Sequence, residues 1–423
     1  MFALFKKRNS YLFLTMLCVV IYALSYVARK AVDSNMNELM DFYSKSESQV
    51  GLVSTLFFVC YAVGQVIHGI LCKKYNPIFT IFIACVVAAA SNLIIGFLPK
   101  NAFIFLNVIW AINGFALAML WPSIILLISK VMTFSQKKTA MFCLSLPVAF
   151  GTFLSYGLSS LMSYIGNFKL MFIISASLMG VAAIIWVLIA NKLKNSCLEI
   201  KQIEEPELET IKSVDSAEIK KKKSLPKGFI LLFVFFAFIA IINNFVKDGI
   251  STWTPSFLKQ QFSLPNYIAV LLTVVLPLVG MFGGITAVKL YKKTKGLSII
   301  LFIFFALALL SQCVIFGLLK GNGWVVILIM LAITTFTMMA INNVTTSIYP
   351  LMFSKGVNAG SVAGLIDGFC YVGSAGSAFG LGLIKEAAGW DTVFTVLLVA
   401  CAVATALIAV VSIVLKTRKK PLF

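Results

Sequence analysis

Tyr22-Ala23-Leu24-Ser25-Tyr26-Val27-Ala28-Arg29-Lys30 is the stretch whose reading decides the fold of this chain. It lies deep in the first long apolar run, residues 11–31. A cation inside a membrane span costs from about 2.5 to more than 10 kcal/mol, depending on the scale. It is kept only where it snorkels, pairs or lines water. Tyr22, Tyr26, Arg29 and Asp33 fall at i, i+4, i+7 and i+11, on one face of a helix. Two phenols below a guanidinium make a polar stripe, and the stripe reads as facing a central cavity. Arg29 also stands near the outer end of the run, so anchoring at the membrane interface is the plainer alternative.

Outward from this stretch, the composition points the same way. Of 423 residues, 60% are hydrophobic and 12% charged, a balance that soluble domains do not reach. A membrane-crossing helix needs about 20 apolar residues. Twelve such runs are legible, at 11–31, 51–71, 78–98, 102–128, 139–164, 168–190, 228–250, 265–289, 297–319, 323–351, 359–384 and 390–415. A β-barrel would give short alternating segments instead. The expected fold is an all-α membrane protein of twelve transmembrane helices.

The net charge of +20 invites a nucleic-acid reading. Its distribution argues against one. With both termini assigned to the cytoplasm, cytoplasmic segments hold 26 of the basic residues, outer loops six and the spans three. That asymmetry follows the positive-inside rule and orients the chain. The expected surroundings are therefore a lipid bilayer and no nucleic acid. The nine cysteines have no CxxC spacing and sit mostly in spans, so neither a metal site nor a disulfide framework is expected. With one histidine and no nucleophile or cofactor constellation, an enzyme is not expected either, and no cofactor.

Residues 191–227 break the apolar pattern with nine lysines, seven acids and two prolines. They read as a solvated linker, in part helical, between an N-terminal half, 1–190, and a C-terminal half, 228–423. The halves look like repeats. Arg29 and Lys247 are 218 positions apart, and the pairs Lys73-Lys74 and Lys292-Lys293 are 219 apart. This spacing puts Arg29 and Lys247 at equivalent depths on pseudo-symmetric helices, where two six-helix halves would face each other.

In the seventh run, Lys247 shares a face with Asn243, Asn244 and Ser251, and Asp248 is turned about 100° away, toward a neighbouring helix. Mutual neutralisation of Lys247 and Asp248 near the outer interface is the competing reading. The eleventh run, from Ala359 to Ser374, is rich in small residues that permit close packing and carries Asp367 in mid-span. An acid there pairs with a cation or carries protons. His68, near the cytoplasmic end of the second run, reads as a packing residue.

Several of these stretches resemble the major facilitator superfamily, and within it the organophosphate:phosphate antiporter family, whose familiar bacterial members carry glycerol 3-phosphate and hexose phosphates. The segment from Tyr22 to Lys30 looks like that family's Tyr…Tyr…Arg-Lys stripe, and Tyr61 matches a second-helix tyrosine. Val246-Lys247-Asp248-Gly249-Ile250-Ser251-Thr252-Trp253-Thr254-Pro255 is similar to its RYGxxDWxP segment, with Lys247 in place of the usual arginine. Trp121-Pro122-Ser123 with Ser135-Gln136-Lys137, the run from Ala359 to Ser374, and Gly389-Trp390-Asp391 extend the likeness over nearly the whole chain. There are departures. Lys73 stands where the facilitator loop motif has an acid, Phe150 near the place of a fifth-helix histidine, and Gln65 where the glycerol-phosphate type has lysine.

The resemblance implies a major facilitator fold whose halves rock about a central anion site. Arg29 and Lys247 would hold the anion, with Tyr22, Tyr26, Tyr61, Tyr371, Asn243 and Asn244 as hydrogen-bonding neighbours. Asp367, Asp248 and Lys30 would serve coupling or charge balance. The expected function is secondary transport of a small organic anion, a phosphate ester exchanged for phosphate. Two alternatives stay open: a proton-coupled symporter of a carboxylate, amino acid or other small metabolite, and a membrane sensor of sugar phosphate. The coupling ion would be phosphate or a proton. The expected location is the inner (plasma) membrane, multi-pass, as a monomer with both termini cytoplasmic.

Overall fold

The apolar runs fold as helices, and among the described residues there is no strand. A computed structural model describes residues 9–71, 74–144, 146–204, 229–294, 296–321, 323–351 and 359–417. In chain order the helices are α1 (Ser10–Tyr43), α2 (Glu47–Leu71), α3 (Pro77–Phe97), α4 (Phe103–Val131) and α5 (Ser135–Ile165). They continue with α6 (Lys169–Glu204) and α7 (Phe229–Phe262), then α8 (Asn266–Thr294), α9 (Leu297–Leu318) and α10 (Trp324–Ile348). The last helical stretch, Ala359–Thr417, is broken at Gly389. There φ is 77° and ψ 179°, a left-handed position that suits glycine. The break yields α11 (359–388) and α12 (390–417), so all twelve runs are helical.

Local chemistry sets several of the ends. Asn76 caps α3 by accepting from the Ile78 N–H, with Pro77 at the first helical position. The Gln136 side chain accepts from the Thr133 N–H at 3.2 Å where α5 begins. Gly166, at φ 80°, closes α5. The outside of the bundle is apolar: Phe97, Ile104, Leu188 and Leu231 are all exposed. Buried polar side chains gather inside, the arrangement suited to hydrocarbon rather than water.

One expectation needs correction: α1 and α7 outrun their apolar stretches. Each is 34 residues long, about 51 Å at the α-helical rise. The polar turns from Asp33 to Tyr43 and from Ser251 to Phe262 stay helical because they pack against one another instead of facing lipid. Arg29 and Lys247 consequently lie near the middle of their helices rather than at an end. Residues 191–204 of the linker continue α6 as helix, in keeping with a linker read as partly helical; 205–227, like Cys72 and Lys73 of the loop motif, lie outside the described residues.

The helix register repeats. Ser10 and Phe229 open α1 and α7, and Tyr43 and Phe262 close them, 219 positions apart in both cases. Glu47 and Asn266 open α2 and α8 at the same offset.

The first six helices meet the last six along α2–α11, α5–α8 and α1–α7. The polar links concentrate at the end away from the linker. Glu47 pairs with Lys385 and accepts from Gln260 at 3.1 Å. Ser48 donates twice to Glu386, from its N–H at 2.5 Å and its hydroxyl at 3.0 Å. Asn37 accepts from Ser256 at 2.8 Å and donates to Asn266 at 2.6 Å, and Asn266 donates to Glu38. The helix backbones come so close that a Cβ on Gly51 would collide with the Ala378 carbonyl oxygen. Toward the linker end the picture changes. No atom stands within 4 Å of a Cβ built on Gly364 or Gly368. Val66, Ile67 and Ile70 of α2 and Leu365 of α11 are exposed. The halves are clasped at one end and parted at the other.

Candidate functional site

Arg29 lies between the clasp and the parting. Its guanidinium carbon is 4.5 Å from the Tyr61 ring centroid, 4.8 Å from Tyr26, 5.3 Å from Phe57 and 5.7 Å from Tyr371. The rings come from α1, α2 and α11, so both halves build the cage. Stacking ties it together: Tyr61 meets Tyr371 at 4.5 Å, Tyr22 meets Tyr26 at 5.4 Å, and Tyr22 rests on Trp121 of α4 at 5.2 Å. Ring faces attract a cation but do not neutralise it. Among the described residues no carboxylate oxygen comes within 4 Å of Arg29, and its buried Nε has no hydrogen-bond partner.

The neighbouring cation is different. Lys30 is buried in an ion pair of 2.7 Å with Asp33, whose other oxygen accepts from Ser54 of α2 at 2.6 Å. The expected Tyr22–Tyr26–Arg29–Asp33 stripe thus divides in use. Tyr26 stands against the guanidinium with Tyr22 behind it, and Asp33 answers Lys30.

On α7, Lys247 donates to the Asn244 carbonyl oxygen at 2.6 Å and lies 3.7 Å from Asp248. Asp248 reaches α11, where it accepts from Ser374 at 2.5 Å. Asp248 thus contacts both Lys247 and a neighbouring helix. Asn244 is fully engaged, donating to Asn342 of α10 at 3.3 Å and to the Ala240 carbonyl at 3.1 Å. Asn243, one helical turn before Lys247 on the same face, is 0% exposed, and neither amide atom has a hydrogen-bond partner among the described residues.

Asp367 lies on α11 one helical turn before Tyr371, half-buried, with no ion pair or hydrogen bond among the described residues. His68 packs against Phe115 at 5.0 Å, as expected of a packing residue. Gln65 donates to the Tyr61 hydroxyl at 3.1 Å, fixing one wall of the cage.

Sequence reasoning passed over Phe57 and Tyr156, and took Trp121 as part of a motif without placing it at the site. Phe57 precedes Tyr61 by one helical turn, and that spacing was the available signal. Tyr156 of α5 donates to the Ser251 carbonyl of α7 at 2.7 Å and joins the halves beside the site. A separate groove of about 780 Å³ between α2 and α4 is walled by apolar side chains including Leu52, Leu56, Phe103 and Ile104. It has no charged residue and belongs to the lipid-facing surface.

The profile of the Major Facilitator Superfamily matches residues 18–378. The chain is 24% identical over 311 residues to the hexuronate transporter of Bacillus subtilis strain 168, covering 70% of this chain and 69% of that one. It is 23% identical over 402 residues to a probable hexose phosphate transport protein of Chlamydia trachomatis, covering 90% and 86%. Over a shorter stretch of 94 residues, 22% of this chain and 21% of the other, it is 29% identical to the membrane sensor protein UhpC of Escherichia coli K12. Its fold matches the inward-facing, occupied structure of a bacterial homologue of the human lysosomal transporter Spinster, with a TM-score of 0.75 at 15% identity, over 98% of this chain and 99% of that one.

Proposed function

The chain belongs to the Major Facilitator Superfamily, and from that premise we propose that it carries a small organic anion by alternating access, with Arg29 as the anion's anchor. Membership makes it a multi-pass membrane transport protein rather than an enzyme. The observation that carries the anion reading is the buried, acid-free guanidinium between the halves. An oxyanion can take its fork bidentately and supply the charge that the rings do not. Lys247, Tyr22, Tyr26, Tyr61 and Tyr371 are the accessory contacts in this reading, with Asn244 setting the position of Lys247. The hexuronate and hexose phosphate relatives support a carboxylate or phosphate head group, and the organophosphate resemblance supports exchange for phosphate.

In proteoliposomes, labelled phosphate inside should exchange for external glucose 6-phosphate or glucuronate at zero proton gradient, and Arg29→Ala should stop it. Exchange that survives Arg29→Ala would sink the reading. Proton-coupled symport is the second reading, favoured by the unpaired Asp367; uptake driven by an imposed pH gradient alone would establish it over exchange. A sensing role, in line with the UhpC likeness, would appear as ligand binding without flux. We further propose an inner-membrane monomer with both termini and the linker cytoplasmic, from the basic-residue asymmetry. In a cysteine-free background, an impermeant reagent on intact cells should label a cysteine at Ser46 and spare one at Ser216. The reverse pattern would invert the topology.

A further inference from the structure

Six ionisable side chains occupy the middle of the bundle: Arg29, Lys30 and Asp33 on α1, Lys247 and Asp248 on α7, and Asp367 on α11. At this level the other helices contribute none; α3, α9 and α10 contain no Asp, Glu, Lys or Arg at all. With all six ionised, three positive and three negative charges sum to zero. Two pairs are closed, Lys30 with Asp33 at 2.7 Å and Lys247 with Asp248 at 3.7 Å. Arg29 and Asp367 remain, opposite in sign and not in contact with each other.

The two leftovers approach the same space. Asp367 and Tyr371 are one turn apart on one face of α11, and the Tyr371 ring is 5.7 Å from the Arg29 guanidinium carbon. A ligand enclosed there adds its own charge to a neutral site. A dianion leaves −2, a monoanion −1 and a zwitterion zero. Charge enclosed without compensation in a low dielectric is costly, and hydroxyl groups can satisfy the oxygens of Asp367 without cancelling its charge. We infer that the substrate is an organic anion that also carries an ammonium group, its anionic end on Arg29 and its ammonium on Asp367. Amino acids and amino-sugar acids or phosphates are members of this class. The inference rests on the anion reading above and narrows it.

The test uses matched ligands on the purified full-length chain, with affinities measured by titration calorimetry. Serine is compared with glycerate, and glucosamine 6-phosphate with glucose 6-phosphate; within each pair an ammonium replaces a hydroxyl. The ammonium member of at least one pair should bind at least tenfold tighter. Asp367→Asn should erase that preference and tighten binding of the ammonium-free member several-fold. Equal affinity within both pairs, or a preference that persists in Asp367→Asn, overturns the inference. The wild-type pairs decide the matter even if the variant does not fold. Equal affinities that are lost in Arg29→Ala would remove this inference and leave the anion reading standing. No binding by any of the four ligands, or binding indifferent to Arg29→Ala, would remove both.

Discussion

Helices α1 and α7 have the same length and register, and each places a cation near its middle, yet the two cations live differently. Arg29 is ringed by Tyr26, Phe57, Tyr61 and Tyr371 and has no acid beside it. Lys247 is held by Asn244 and Asp248, and Asp248 is in turn held by Ser374. A repeated backbone has thus been given unequal chemistry. One cation is left for a ligand to neutralise. The other is neutralised by the protein. A cation–π contact contributes about 0.5–2 kcal/mol, enough to position a guanidinium but less than the several kcal/mol that burying its charge costs. Arg29 should therefore gain most from an incoming anion.

Arg29→Lys should break this arrangement most. An ammonium cannot rebuild a bidentate fork, and losing one partner of a desolvated ionic contact costs about 2–5 kcal/mol, about thirtyfold or more in affinity. Titration of reconstituted protein with its anion checks this; a near-wild-type constant would mean that Arg29 is structural. Lys247→Ala should weaken affinity by about tenfold, about 1.4 kcal/mol, and Lys247→Arg should stay within threefold at matched expression. If Lys247→Ala costs as much as Arg29→Lys, the two cations act alike and the contrast is wrong. Phe57→Leu removes one ring of the cage while keeping apolar bulk. A loss of about 0.5–1 kcal/mol is expected, which is about two- to fivefold in affinity. Lys385→Ala is the control, since this cation is also paired but belongs to the distant clasp. Transport affinity should shift less than about twofold, because the pair lies away from the residues that would touch the ligand. Impermeant labelling of a cysteine at Thr55 should rise as the clasp loosens; unchanged labelling would show that Lys385 does not hold the halves together.

The helices were legible because hydrocarbon demands long apolar runs, and that demand is written locally. Their true ends on α1 and α7 were not legible. Residues 33–43 and 251–262 look like loop by composition, and they remain helical only because each finds the other across the interface. The offset between Arg29 and Lys247 announced a symmetric pair, and each cation falls near the middle of a 34-residue helix. What separates them comes from other helices: Phe57 and Tyr371 around Arg29, Ser374 behind Asp248. Such partners lie more than a hundred residues away in most cases, and helical periodicity says nothing about them. Asn243 shows the same limit: the helix wheel places it beside Lys247 but does not say that its amide is fully buried with no partner among the described residues.

The contact between Gly51 and Ala378 has a mechanical side. It lies close to one end of α2, which runs on to Leu71. Twenty residues of helix form an arm of about 30 Å. If that contact serves as fulcrum, a tilt of about 10° carries the far tip of the arm through about 5 Å, while atoms next to the glycine barely shift. The gearing is set by where the glycine falls along the helix. A pivot nearer mid-helix would need twice the tilt for the same opening, and would have to unseat more of the packing to obtain it.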